Sequence, residues 1–351
     1  MEAEKSDYFL ALASYHGVAP LVYQQLKSLF TEGVLFEMFQ KQYAYIARRN
    51  MFMTAELLRI RSLFLQANIE ILAFKGPALA RYAYGDITLR QFGDIDVLVH
   101  PEDIPAVMRL MQQEGYVPDV NIPKEDAAHY YALLTTIGFD NPASKMRIEI
   151  HWELLSGNYA VAWKSDALWK EVEMVEINRQ MIPTLRFEDH LLYLCLHGSK
   201  HLFERLEWVC DIDRSIRSRS TIDWQYIISL AKDTGVVRML LLGLSLAKDI
   251  YGTPLPDTIE EKMKNDRVLP RLKEKIMTLC YSKESGKKID KGYFFTVMQM
   301  RERFSDRMCF AWQALFATQF NDINYIKLPK YLRSLYPFVR LFRLIQKYIT
   351  K

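Results

Sequence analysis

The chain has 351 residues, half of them hydrophobic and a quarter charged, a composition expected of a soluble globular protein with room for two domains. Its formal net charge of +4 is too small for the whole molecule to act as a nucleic-acid-binding polycation. Cys195, Cys210, Cys280 and Cys309 form no Cys-x-x-Cys pair, so neither a disulfide framework nor a zinc ribbon is suggested, and free thiols point to a reducing compartment. No apolar signal core opens the chain and no apolar run approaches the roughly twenty residues of a membrane span, so a cytoplasmic protein is expected.

Residues 6–30 carry helical periodicity, broken at Gly17 and Pro20. A longer amphipathic pattern over 36–67 uses Phe39, Tyr43, Ile46, Met53, Leu57, Leu58, Leu63 and Phe64. We read 1–67 as an N-terminal helical segment. Ile69–Phe74 fits a buried strand, Lys75-Gly76 a turn, and Pro77 the first position of a helix that runs to about Tyr84 and ends at Gly85. Ile95–Val99 reads as a second strand. A helix then runs from Pro101–Asp103 to Gly115. Residues 130–139 and 146–152 read as two strands joined through Asn141-Pro142-Ala143-Ser144. Strands alternating with helices imply a small α/β unit, which we place at 68–184.

From Phe187 onward the pattern is helical, with further helices expected at 223–234, 236–251, 257–282 and 293–317. Pro254, Pro256 and the polar stretch 282–290 mark loops. This helical region is assigned to 185–326, making the chain α+β as a whole. Residues 327–351 contain seven Lys or Arg and no acid, and Tyr331–Ile345 interleaves aromatic with basic residues. Docking on the protein's own body, with the cations left in water, is the plain expectation for this basic amphipathic tail. Peripheral membrane contact and nucleic-acid binding are the alternatives.

The chemistry concentrates in Arg90-Gln91-Phe92-Gly93-Asp94-Ile95-Asp96. On a strand, Asp94 and Asp96 point the same way and Ile95 and Val97 point into the core. Two carboxylates side by side repel unless a cation lies between them, and hard oxygen ligands suit Mg2+, with Mn2+ the nearest substitute. Upstream, amides at the start of the helix after Gly76 favour an anion, and Lys75 is a candidate point charge for phosphate. Further on, alternation in Arg147-Ile148-Glu149-Ile150-His151-Trp152 sends Glu149 and His151 to one face. His197 and His201 lie four apart and share a helix face. With Asp211 they could hold a metal, but no third ligand has a compelling spacing for zinc, so a place beside the active-site cleft is favoured.

Together these segments resemble the nucleotidyltransferase superfamily typified by polymerase β. More closely, they resemble an uncharacterised bacterial branch with Lys-Gly in the turn, Arg before Gly-Asp-Ile-Asp, and Glu-x-His-Trp downstream. His16-Gly17-Val18-Ala19-Pro20-Leu21 and His197-Gly198-Ser199-Lys200-His201, followed by Trp208 and Asp211, also look like that branch. The resemblance spans residues 16 to about 213. It implies a small α/β domain with a mixed sheet, and an NTP as substrate. Asp94, Asp96 and Glu149 become catalytic and metal-binding, and Lys75, Gly76, Arg90 and Gly93 bind nucleotide and phosphate. His151, His197, His201 and Asp211 line the cleft. A two-metal transfer of a nucleoside monophosphate to a hydroxyl on a small molecule, protein or RNA is then expected. One departure stands out: the superfamily's usual Ser after the glycine is Pro77, which offers neither hydroxyl nor N–H. That favours the alternative of a weak or inactive nucleotide-binding or protein-interaction module.

Overall fold

The computed structural model describes residues 2–29, 31–281 and 289–349. Three helices open the chain: Glu2–Tyr15 (α1), Ala19–Leu29 (α2) and the long Val34–Gln66 (α3). The first half of α3 closes a small core with α1 and α2 around Ala13, Tyr23, Phe39 and Ile46. Its second half, through Met53, Leu57, Ile60 and Phe64, belongs to the core of the sheet that follows.

That sheet has five strands, Leu72–Ala73 (β1), Ile95–Leu98 (β2), Val117–Pro118 (β3), Thr136–Asp140 (β4) and Arg147–His151 (β5), in the order β1-β2-β5-β4-β3. Only β2 and β5 run parallel; the other pairs are antiparallel. Gly76–Tyr84 (α4) follows β1, and Ile104–Gln113 (α5) follows β2. The mixed sheet and its flanking helices agree with the α+β expectation. A second sheet is a hairpin of Val172–Ile177 (β6) and Gln180–Leu185 (β7). Its two-residue turn, Asn178-Arg179, has positive φ at both positions, the geometry of a type I′ turn. Sequence reading passed over it because the usual glycine is missing.

Residues 130–139 are not one strand. Ala127–Leu133 (α6) is helical and β4 begins at Thr136. Tyr130 packs with Ile323 and Tyr336 from the C-terminal region, and this tertiary contact overrides an aromatic run that locally looks like strand.

The helical half comprises Phe187–Lys200 (α7), Leu206–Arg217 (α8), Trp224–Asp233 (α9), Val237–Tyr251 (α10), Asp257–Asn265 (α11) and Leu269–Tyr281 (α12). Ile289–Gln299 (α13), Phe304–Phe316 (α14), Phe320–Tyr325 (α15) and Tyr336–Ile349 (α16) complete it. The single helix expected over 257–282 is therefore two. Asp266 ends the first, and its Oδ1 accepts from the Val268 and Leu269 amides, 2.8 and 3.0 Å away, at the start of the second. The helix expected over 293–317 is likewise split, because Arg238 Nη1 takes the carbonyls of Gln299 and Arg301 and stops α13. The loop expected at 282–290 lies outside the described residues up to 288, and Ile289 already belongs to α13.

α7, α8 and α10 share one large core with Leu72, Phe74, Leu79 and Leu98 of the sheet unit. The basic tail packs on α14 and α15. Much of its charge is paired: Lys330 and Arg333 with Asp126, Arg340 and Arg343 with Asp322. Among the described residues no helix is long and apolar enough to cross a membrane.

Candidate active site

The parallel pairing of β2 with β5 sets Asp96 directly opposite Glu149, so both side chains leave the same face of the sheet. Ile95 and Val97 go to the opposite face, in the core between sheet and α3. Asp94 lies in the bend just before β2 rather than on the strand, yet it lines the same cavity as Asp96 and Glu149. That cavity holds about 390 Å³, within the range of small-molecule sites. Its remaining walls include Lys75, Arg90 and Gly93 from the sheet side, and His197, His201, Arg205, Glu207 and Trp208 from the helical side.

Asp96 is the electrostatic centre. Its Oδ1 accepts from Lys75 Nζ at 3.0 Å and lies 3.2 Å from His151 Nε2. Burial works against the charge of Asp96, but Lys75 and His151 outweigh it and hold the carboxyl well below the usual range. Asp94 moves the other way: the neighbouring Asp96 charge, then burial, push it up to about 6. Burial likewise opposes the Lys75 ammonium, and Asp96 and Asp94 more than restore it. The ammonium sits 5.8 Å from the ring centres of both Phe74 and Tyr193, walls that suit a cation. Glu149 is held below its ordinary pKa by the His151 hydrogen bond, and Arg147 Nε donates to its Oε1 at 3.2 Å.

Two features bear on whether a divalent cation fits. Among the described residues, Asp96, Glu149 and His151 bring one ligand atom each within 4.8 Å of one another, the only such cluster of three. Asp96 Oδ2 is buried with no hydrogen-bond partner, an uncompensated acceptor that a cation would satisfy. The donors are two carboxylates and an imidazole, a set that accepts Mg2+ and suits Mn2+ somewhat better.

The turn is built for close approach. Gly76 has φ of +51°, and a Cβ there would lie 3.0 Å from the Asp94 carbonyl oxygen, so α4 can begin directly beside the 92–94 bend. From α3, Arg49 Nη2 donates to the Gly93 carbonyl at 3.0 Å. Asn50 Nδ2 donates to the carbonyls of Ile87 and Arg90, which fixes the backbone leading into the bend.

Arg90 reaches across to α8, where its Nε and Nη2 donate to the two oxygens of Asp211 at 2.8 and 2.9 Å. Tyr84 donates to the same carboxylate at 2.7 Å. Asp211 is thus the anchor of Arg90 and does not converge with His197 and His201 on a metal. Those two rings pack against Trp208 instead, His197 edge-on and His201 tilted. Burial disfavours the charged form of both, pushing His201 down to about 4 and His197 well below its ordinary value.

The N-terminal segment reaches the site as well. His16 O accepts from the Glu207 amide, Arg205 Nε donates to Tyr15 O, and Gly17 lies so close to the Glu207 side chain that no Cβ fits. Burial pushes the Glu207 carboxyl up to about 7. Arg49, Tyr193, Arg205 and Glu207 were not legible as site residues. Each lies far along the chain from the carboxylates, and only the fold brings them together.

No curated protein matches the sequence. A family model described as uncharacterised nucleotidyltransferase matches residues 2–252, a span that contains the sheet, the carboxylates and the clamp from α1 to α8. The chain belongs to this uncharacterised nucleotidyltransferase family.

Proposed function

We propose that the protein transfers a nucleoside monophosphate from an NTP to a hydroxyl group, with Mg2+ or Mn2+ held between Asp96 and Glu149 and with Asp94 and His151 completing its donors. One observation carries this reading: the parallel β2–β5 register that sets Glu149 opposite Asp96, beside a buried carboxylate oxygen with no partner. A divalent cation here would neutralise phosphate charge and lower the pKa of the acceptor hydroxyl.

The chain's own residues position and balance charge. Lys75, at the entry to α4, turns from Asp96 toward the β and γ phosphates when the triphosphate arrives. The α4 amides after Gly76 face the same anion, less the one that Pro77 lacks. The acceptor oxygen forms a bond to the α phosphorus, the bond from that phosphorus to the bridging oxygen breaks, and pyrophosphate leaves. The hydroxyl proton passes by way of Glu149 to water. Arg90 acts here as a positioning residue, held by Asp211, and the half-buried ring cluster of His197, His201 and Trp208 forms the far wall and limits the water beside it.

Incubation with each NTP, labelled with radiophosphorus at the α position, and a cell extract tests the reading. Label transferred to an acceptor, and lost in Asp94→Asn and Asp96→Asn, supports it.

A second reading rests on Pro77 and on the Lys75–Asp96 ion pair, which already compensates one carboxylate. On that reading the site binds nucleotide without turnover, as a sensing or protein-binding module. Titration calorimetry with Mg2+ and ATP, run beside a pyrophosphate-release assay, separates the two: binding without release across many acceptors favours the module.

A further inference from the structure

The outer face of α3 carries Tyr45, Arg48, Arg49 and Phe52 at positions i, i+3, i+4 and i+7, a spacing that lines them up on one side of the helix. Tyr45 and Phe52 are about 60% exposed, at 59% and 60%, unusual for large rings on an otherwise amphipathic helix. Opposite them lies the β4–β5 turn, where Lys145 is held at a positive φ of 58°. Helix and turn enclose an open groove of about 690 Å³ whose lining has three cations and no acid.

The groove leads to the carboxylates. Arg49 lines both it and the active-site cavity, and its guanidinium holds the Gly93 carbonyl next to Asp94. The side chains of Arg48 and Lys145 have no hydrogen-bond or ion-pair partner among the described residues. The tail differs, since its Lys330, Arg333, Arg340 and Arg343 are already paired with acids.

Flat rings open to solvent and interleaved with unpaired cations form a surface on which bases stack while phosphates meet charge. An anionic small molecule would use the cations but leave two rings idle, and an apolar peptide would leave the cations unpaired. A duplex would shield its bases from the rings. We propose that this groove binds the 3′ end of a single-stranded nucleic acid and delivers its terminal hydroxyl to the carboxylates as the acceptor.

This rests on the nucleotidyl-transfer reading above and names its acceptor. The step balances: the strand's 3′ oxygen bonds to the α phosphorus of the NTP, pyrophosphate departs with the electrons of the broken P–O bond, and the hydroxyl proton goes to water. The strand grows by one nucleotide.

The test uses the full chain and fluorescein-labelled oligonucleotides of about a dozen nucleotides, a length that covers a typical single-strand site. RNA, DNA of the same sequence and the duplex are compared by fluorescence anisotropy. Single strands are expected to bind more tightly than duplex, and an RNA preference over DNA identifies which strand the groove takes. Tyr45→Ala combined with Phe52→Ala weakens binding about 10-fold or more, the loss expected when stacking on two rings is removed. Arg48→Ala and Lys145→Ala each flatten the dependence of log affinity on log salt by about 0.7. All four side chains are exposed, so near-UV circular dichroism should remain that of the wild type. Arg48→Lys, which keeps the charge, retains affinity.

Absence of single-strand binding, or binding indifferent to these substitutions, overturns the proposal. NTP binding, measured in parallel with Mn2+ present, separates it from the reading beneath it. Groove variants that keep NTP binding while losing the strand support the acceptor assignment. If the wild type binds NTP but no strand, the acceptor inference alone fails. If it binds no NTP, the transferase reading fails with it.

Discussion

Removing the Asp211 carboxylate tests how the cavity is held open between its two walls. Asp211 is almost wholly buried and accepts three hydrogen bonds, two from Arg90 and one from Tyr84. Arg90 is buried too, with a side chain only 8% exposed. Burial opposes the guanidinium charge, and the paired carboxylate overcomes that opposition and keeps its pKa above the ordinary value. Asp211→Ala strands this cation in the interior, which costs about 3–5 kcal/mol when one partner of a buried pair is removed. At about 1.4 °C per kcal/mol for a chain of this size, the melting temperature should fall by about 4–7 °C. Replacing both partners, as Arg90→Met with Asp211→Leu, removes the charge and should recover most of the loss, because buried pairs contribute little net stability over apolar substitutes. The backbone of 87–90 stays anchored by Asn50 in both variants, so the comparison isolates the side-chain tie. Urea denaturation at neutral pH and thermal melts provide the measurement. A cost below about 1 kcal/mol for Asp211→Ala, or a double variant no better than the single one, would refute the reasoning, because a fully desolvated pair cannot behave that way.

Other substitutions probe the carboxylates and the pH response. Mn2+ should stabilise the wild type, by about 2.7 kcal/mol at a hundredfold excess over its Kd, and should leave Asp96→Asn unshifted in the same thermal melt. Asp96→Asn also leaves the buried Lys75 without its carboxylate, and adding Lys75→Met should restore part of that loss, read as a recovered melting temperature. Gly76→Ala combines a positive φ with a Cβ 3.0 Å from the Asp94 oxygen, and chemical denaturation should show a loss of about 1–3 kcal/mol. Burial pushes the Asp189 carboxyl up from 3.8 to about 6, against the hydrogen bond it accepts from Tyr226. A raised acid stabilises the fold fully below its unfolded pKa, and that contribution is lost as pH rises through the folded value. Asp189→Asn should therefore match the wild type near pH 4 and exceed it by up to about 3 kcal/mol above pH 7, as read from urea midpoints across that range.

Much of the site was legible because strand alternation is a strong local signal. The alternating Ile148, Glu149, Ile150 and His151 were readable as a two-faced strand, and Gly76 before Pro77 as a turn into a helix. What alternation cannot supply is which strand lies beside which. The pairing of Asp96 with Glu149 joins positions more than fifty residues apart, and no local rule sets it. Arg49 was invisible for the same reason: on its helix it is one more surface arginine, and only the fold lays it against Gly93. The resemblance assigns Arg90 to nucleotide and phosphate. The structure gives two of its donors to Asp211, a carboxylate that had been grouped with two histidines. The β6–β7 hairpin and α6 were missed for opposite reasons. Asn178-Arg179 carries a weak turn signal for a strong turn, while the Tyr130 region carries a strand-like composition on a helix pinned by distant residues.

The division of the chain at residues 184 and 185 marks a change in sequence pattern, and from the shared packing we predict that the two sides unfold together. Leu72, Phe74, Leu79, Ala83 and Leu98 of the sheet unit are buried in the core formed by α7, α8 and α10. Ending the chain at Leu185 would return these side chains to water. At about 1.5–3 kcal/mol for each large one, the loss comes to roughly 10 kcal/mol, comparable to the whole stability of a typical domain. It would also remove Asp211, the carboxylate that holds Arg90 in place. The first half of the chain should therefore fail to fold alone, giving a non-cooperative urea transition and weak near-UV circular dichroism. Adding residues 186–252 supplies α7, α8 and α10, and a sharp transition should return. That longer piece matches the extent of the family model and restores the helices that cover the sheet, while Leu272, Ile276 and Val297 beyond it complete the same core. Cooperative unfolding of the chain ending at Leu185 would show that the sheet carries its own stability and that the helical half merely leans on it.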